Sequence, residues 1–112
     1  DMYSAEQVQP EYVTDNVAVF ILPDQAWARR VSGVFSNNLA NQYPDRAHAV
    51  VTYTSANDYQ VSVRAPLNNK VKADELCASF ATGGGRRAAA GINHLPPTGL
   101  TEFIAKLSQT YP

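Results

Sequence analysis

The sequence holds a single cysteine, two histidines and no long apolar run, and each scarcity closes off a class of protein. Cys77 has no partner, so an intramolecular disulfide is excluded and the core must hold without one. It sits among apolar neighbours, which suits core packing and a reducing, cytoplasmic setting. No apolar stretch approaches the roughly 20 residues of a membrane span, so no membrane partner is expected. The polar, acidic start does not resemble a signal peptide. Charge of one sign is also missing: nine Lys and Arg against ten Asp and Glu leave a net charge of −1. Without a global positive field, any phosphate recognition must be local. His48 and His94 are the only histidines, and no paired carboxylates stand at ligand spacing. A metal site needs convergent ligands, so both histidines read as strand residues and no metal site is expected. The chain opens on Asp1 without an initiator Met, which reads as a domain excised from a longer protein.

What is present is a chain of 112 residues with 45% hydrophobic content, the size and makeup of one ordinary globular domain. Residues 1–16 read as a linker arm, with Pro10 and an Asp15-Asn16 turn signal; residues 17–112 read as the domain. Val17 to Leu22 is a continuous apolar, β-branched run, the pattern of a strand covered on both faces. Pro23-Asp24 stops it, and Asp24 is a good N-cap for a helix from Gln25 to about Tyr43. On that helix Trp27, Val31, Val34, Phe35 and Leu39 recur at helical spacing, while Arg29 and Arg30 read as a solvated face. A strand is expected over Arg46 to Thr54, with Ala47, Ala49 and Val51 facing one way and His48, Val50 and Thr52 the other. Ser55 to Asp58 turns the chain. The return strand runs from Tyr59 to Ala65, with Tyr59, Val61, Val63 and Ala65 opposed to Gln60, Ser62 and Arg64. A helix over Lys72 to Ala81 carries Ala73, Leu76, Cys77 and Phe80 on one stripe, with Asp74 and Glu75 suiting its first turn. A short helix through Ala90, a strand over Gly91 to Leu95 and a terminal helix from Thr98 or Gly99 complete the order β-α-β-β-α-(α)-β-α. That order predicts an α/β fold: one mixed sheet of four to five strands with helices packed on it.

The segment Gly83-Gly84-Gly85-Arg86-Arg87-Ala88-Ala89-Ala90-Gly91 stands apart. Consecutive backbone amides in a glycine turn form an anion-binding nest. A helix starting just after them would add unpaired N–H groups and the positive end of its dipole. Arg86 and Arg87 would then grip phosphate or carboxylate oxygens with planar, bidentate donors. A purely structural reading uses the same residues: Gly83 as a helix C′ residue, Gly84 and Gly85 as a turn, and Ala88 to Ala90 as a packing patch. Two familiar phosphate loops do not fit. No Lys-Ser or Lys-Thr follows the glycines, and the formal G-x-G-x-x-A match at Gly83, Gly85 and Ala88 follows a helix where that fingerprint needs a strand.

The segment resembles the G-G-G-H-x-x-A-A-G signature of the DHH-associated C-terminal domain, first subtype, of the DHH phosphoesterase superfamily. That superfamily includes RecJ-like exonucleases, nanoRNases and cyclic-dinucleotide phosphodiesterases. Val61-Ser62-Val63-Arg64-Ala65 is similar to its V-S-x-R-S strand, and Asp74 to Phe80 falls where it has a helix leading into the glycines. The likeness is strongest from Tyr59 to Leu95. It implies a substrate-binding role, with Gly83, Gly84 and Gly85 presenting amides to a phosphate, Arg64 adding a second charged contact, and Arg87 adding charge or lying in solvent. Arg86 stands where the family usually has His; arginine holds charge but cannot shuttle a proton near pH 7. The resemblance also implies that catalysis, with Mn²⁺ or Mg²⁺, belongs to a catalytic DHH domain of the same polypeptide, so that this chain alone carries no catalytic residue and binds no cofactor. The implied partners are that domain and a nucleotide or short single-stranded nucleic acid, and a homodimer is compatible with it. Two other readings stay open: a free-standing ferredoxin-like or RRM-like nucleic-acid module with Tyr53 and Tyr59 stacking bases, and a structural domain whose glycines serve only as a turn.

Overall fold

A computed structural model describes residues 11–22, 26–54 and 57–111, with side chains of residues 26–32 outside the description. Pro23, the Asp24 cap, the start of the first helix at Gln25 and the Ser55-Ala56 half of the turn therefore lie outside the described residues, as do the side chains of Trp27, Arg29, Arg30 and Val31. In chain order the elements are β1 (Tyr12–Val13), β2 (Val17–Ile21), α1 (Ala26–Gln42), β3 (Ala47–Tyr53), β4 (Tyr59–Arg64), α2 (Ala73–Ala78), β5 (Gly83–Gly85) and β6 (Ala89–Leu95). A single 3₁₀ turn (Pro97–Gly99) then leads into α3 (Leu100–Thr110). The strands form one sheet of six in the order β1-β2-β3-β4-β6-β5. β2 and β3 are parallel and every other pair is antiparallel, so the sheet is mixed, as the sequence predicts. The sheet has one strand more than the upper predicted number, and the two strands missing from the predicted order are β1, inside the segment read as a linker arm, and β5, made of the three glycines.

The parallel pair requires a crossover, and α1 supplies it. A parallel pair of this kind is normally covered on both faces, and β2 and β3 are buried almost throughout. On one face Val17, Val19, Ala49, Val51, Val61, Val63 and Ile92 pack under Leu76 and Cys77 of α2 and Phe103 and Leu107 of α3. On the other, Ala18, Phe20, Leu22 and Val50 pack under Phe35 and Leu39 of α1. Phe20 and Phe35 meet edge to face, 5.4 Å apart. The alternation predicted for residues 47–52 and 59–65 assigns these faces correctly. α1 packs on β2 and β3 and extends over β4.

Two predicted elements change. The helix expected over 72–81 spans Ala73–Ala78 and ends at Ser79, so Gly83 is not its C′ residue; the chain turns through a Gly83 N–H to Phe80 C=O bond of 3.1 Å and enters β5. The short helix expected after the glycines does not form. The Arg86 N–H donates to the Ala89 C=O at 2.9 Å, closing a tight hairpin over Arg87 and Ala88. A run of three alanines is too short to nucleate a helix, whereas as strand it pairs on both sides, with Arg64 and Val63 of β4 and with Gly85 of β5. The ferredoxin-like reading is also overturned. That fold splits its βαβ unit with an inserted strand, but here the strands flanking α1 are direct neighbours. Tyr53 and Tyr59 pack on each other 5.2 Å apart, with Tyr59 against the helix-covered core, so they form no open stacking platform.

Candidate anion-binding site

The α1 face of the sheet, from the edge of the helix on β4 across the uncovered β6 and β5, gathers the residues that the sequence singles out. Registers place His48 opposite Arg64 and Arg64 opposite Ala89; the hairpin bond places Arg86 opposite Ala89 from the other side. Side chains directly opposite one another share a face, so His48, Arg64, Ala89 and Arg86 form one row across the sheet. Arg64 and Arg86 flank a single methyl group, two strand spacings or about 10 Å apart at the backbone. The next row is Ser62, Gly91 and Gly84. The result is a flat floor of Ala89, Gly91 and Gly84 with a guanidinium on each side at one end.

The glycines contribute in a different way from the nest that their sequence suggests. The Arg86-to-Ala89 bond and the Asn93 N–H to Thr82 C=O bond of 3.2 Å fix the ladder phase. Bonded pairs alternate in an antiparallel ladder, so Gly84 points its N–H into β6. Gly83 spends its N–H on Phe80. Of the three glycine amides only that of Gly85 is left toward the open edge, and the helix expected just after the glycines is replaced by the hairpin. Gly83 and Gly85 are instead demanded by the fold. A Cβ on Gly83 would lie 1.7 Å from the Cys77 carbonyl oxygen, and Gly85 has φ of 144° with Ala90 Cα 2.5 Å from a built Cβ. Gly84 differs: nothing lies within 4 Å of its built Cβ, so the fold alone does not require a glycine there.

Arg64 borders a groove of about 320 Å³ with Asn37 and Asn41 of α1, Lys70 and Ala88. Its Nε is buried without a hydrogen-bond partner. His48 beside it is fully buried, and both ring nitrogens lack a partner. Burial, reinforced by the charge of nearby Arg46, pushes its pKa down to about 4, so the ring is neutral. The remaining unpartnered buried nitrogen among the described residues is Arg46 Nε, two residues away, whose guanidinium lies 4.6 Å from the Tyr43 ring centre. Every such atom therefore sits at this end of the sheet, and each is a nitrogen. Unsatisfied buried donors are costly, and an anion is the partner that guanidiniums accept best.

Arg86 and Arg87 are exposed at the hairpin; the Arg87 carbonyl accepts the Ala73 N–H at 3.1 Å, tying the turn to the start of α2. Arg87 is a turn residue and stands outside the row. Asn37, Asn41 and Lys70 were not legible as site residues. The two asparagines stand four apart on one helix face, but this spacing alone reads as a solvated stripe.

The model of the DHHA1 domain matches residues 14–111. The chain belongs to the DHHA1 domain family. Solved structures agree on the fold, though at 13–18% identity they speak to fold alone. An exopolyphosphatase-related protein from Bacteroides fragilis matches with a TM-score of 0.58 at 18% identity, covering 97% of this chain and 32% of that one. A pGpG-specific phosphodiesterase from Vibrio cholerae matches at 0.63 and 13% identity, covering 97% and 38%. The C-Ala domain of Aquifex aeolicus alanyl-tRNA synthetase matches at 0.60 and 17% identity, covering 92% of this chain and 97% of that domain. No curated protein matches by sequence. The DHHA1 domain here thus spans about a third of the first two proteins and nearly the whole of the third.

Among the described residues of this DHHA1 domain, no three His, Cys, Asp or Glu side chains converge. Burial, with the Asp74 carboxylate nearby, pushes the Cys77 thiol up to about 12, far from a reactive thiolate. No described helix is long and apolar enough to cross a membrane.

Proposed function

We propose that this DHHA1 domain is the substrate-gripping half of a DHH-type phosphoesterase and holds a phosphate of a nucleotide or short single-stranded nucleic acid between Arg64 and Arg86. A catalytic DHH domain of the same polypeptide, carrying Mn²⁺ or Mg²⁺, supplies the hydrolytic chemistry. The observation that carries the reading is the row itself: two arginines flank Ala89 at the edge of α1, where the sheet face opens, in a chain of net charge −1. Arg64 orders the anion from the groove side, where its Nε lacks a partner. Arg86 closes the other side as a fixed charge and performs no proton transfer at neutral pH.

The test is an NMR titration of this chain with a 5′-phosphorylated dinucleotide. Binding is expected to be weak and to perturb Arg64, Ala89 and Arg86. Arg64→Ala and Arg86→Ala each weaken it about tenfold or more, since hydrogen bonds to charged groups contribute about 1.5–3 kcal/mol each. Affinity indifferent to both substitutions rules the reading out. The salt dependence should be shallow, as befits one or two phosphate contacts.

A further inference from the structure

The floor has a second end, and its chemistry is different. Between β4 and β6 the register shifts: Val61 stands opposite Ile92, but Tyr59 stands opposite Leu95. Two steps along β4 answer three along β6, so β6 carries one extra residue, a bulge, within 93–94. Ile92 and Leu95 both face the α2–α3 core and are buried. A regular strand would send only one of any two successive residues to the opposite face; here both Asn93 and His94 are exposed. Bulges re-aim side chains in this way and recur beside functional sites. This one brings two polar side chains together at the end of the floor, across from Gln60, which shares the face of Ser62 and Arg64.

His94 is held from several directions. Its backbone N–H donates to Thr82 Oγ1 at 2.8 Å, and the same hydroxyl donates to its C=O at 3.0 Å. Its ring Nδ1 lies 3.2 Å from the Asp58 carboxylate. With Nδ1 engaged by Asp58, Nε2 is the ring nitrogen left for a ligand. Asp58 itself accepts from the Thr54 hydroxyl, and that bond, with His94, holds its carboxyl below the usual range. Along the floor the order is therefore guanidiniums, then Gly84 and Gly91, then amides, an imidazole and a carboxylate. From Ala89 to Asn93 the strand rises about 13 Å, close to the reach from phosphate to base edge in a nucleoside monophosphate. A polyphosphate would need cations along the whole length, and the far end carries Asp58.

We propose that Asn93, His94 and Gln60 read the base of a nucleotide whose phosphate lies between Arg64 and Arg86 and whose sugar lies over Gly84 and Gly91. The proposal rests on the anion-site reading above and adds to it a ligand orientation and specificity residues. The open space at Gly84 and the unpartnered Arg64 Nε are its two independent supports.

The experiment compares inorganic phosphate, ribose 5-phosphate and the four nucleoside monophosphates by NMR titration against the intact chain. At least one nucleotide is expected to bind about tenfold more tightly than ribose 5-phosphate, the gain from two neutral hydrogen bonds. The double variant Asn93→Ala/His94→Ala should bring that nucleotide down to the ribose 5-phosphate level and leave ribose 5-phosphate itself unchanged. Gly84→Leu should block ribose 5-phosphate and nucleotides but spare inorganic phosphate. If ribose 5-phosphate and every nucleotide bind alike, or the double variant keeps the gap, base reading is overturned while the anion site stands. If no phosphate compound binds, both proposals are overturned together. Amide spectra that overlay away from residues 58–62 and 82–95 confirm that each variant is folded.

Discussion

Val50 and Ser62 are cross-strand partners on the same face of the same sheet, yet one is sealed under a helix and the other meets solvent. The cover of this face runs out across β4, which α1 still contacts. On one side the parallel β2–β3 pair is roofed by α1, and its inward positions are Ala18, Phe20 and Val50. Beyond it the antiparallel β6–β5 ribbon has no described helix above it on this face, and the positions from β4 outward are Ser62, Arg64, Ala89, Gly91 and Gly84. Antiparallel sheets tolerate one wet face and parallel ones do not, so topology decides where a ligand surface can exist at all. His48 and Arg64 straddle the boundary: the buried ring is stripped of partners, and the guanidinium beside it looks into the groove.

The comparison breaks hardest at the glycines. Gly83→Ala puts a methyl into the Cys77 carbonyl on the roofed side of the ribbon. It should cost at least about 3 kcal/mol or abolish folding, because backbone rather than a flexible side chain is in the way. Gly84→Ala, one residue on and facing the open side, should change stability by less than about 0.5 kcal/mol. Urea melts of the two variants check this directly; similar losses for both would show that the open face is in fact packed.

The next effect depends on pH. His48 titrates near 6.5 when unfolded and near 4 when folded. Between those values the unfolded chain binds a proton that the folded chain refuses, so stability falls as the pH drops through this window and is fully retained above it. The loss by pH 4 is up to about 3 kcal/mol. His48→Leu should flatten this component relative to wild type, measured as the difference in urea midpoints at pH 7 and pH 4.5. Parallel pH curves for the pair would contradict a buried neutral imidazole.

Much of this architecture is legible in the sequence because it rests on side-chain periodicity. The alternation at Tyr59 to Ala65 assigns both faces of β4, and the unbroken run Val17 to Leu22 marks a strand roofed on both sides. The glycine segment fails the same test for a physical reason. Gly83 to Gly85 have no side chains to alternate, so an edge strand and an anion nest look alike, and only pairing with Ala90 to Ile92 distinguishes them. Arg64 and Arg86 are legible as charges, but their placement on either side of Ala89 depends on the hairpin phase, which no local pattern encodes. The bulge within 93–94 is silent for the same reason: it becomes visible only against Tyr59 and Val61 on the neighbouring strand.

The smallest effect tests the boundary itself. Val50→Ala removes two methyl groups from under α1, at a position 1% exposed, and should cost about 2 kcal/mol in transfer and cavity terms. Ser62→Ala, directly opposite on β4, should stay within about 0.5 kcal/mol, since surface substitutions rarely exceed it. Because the two residues are adjacent, the double variant need not be additive, and that coupling is informative. If the contact of α1 with β4 is confined to the Arg64 end of the strand, its packing should not sense residue 62, and the coupling should be near zero. A coupling of about 1 kcal/mol or more would mean that the cover of β4 by the helix includes residue 62. The open floor would then be narrower by one strand, and only the Gly91–Gly84 side would remain for a ligand.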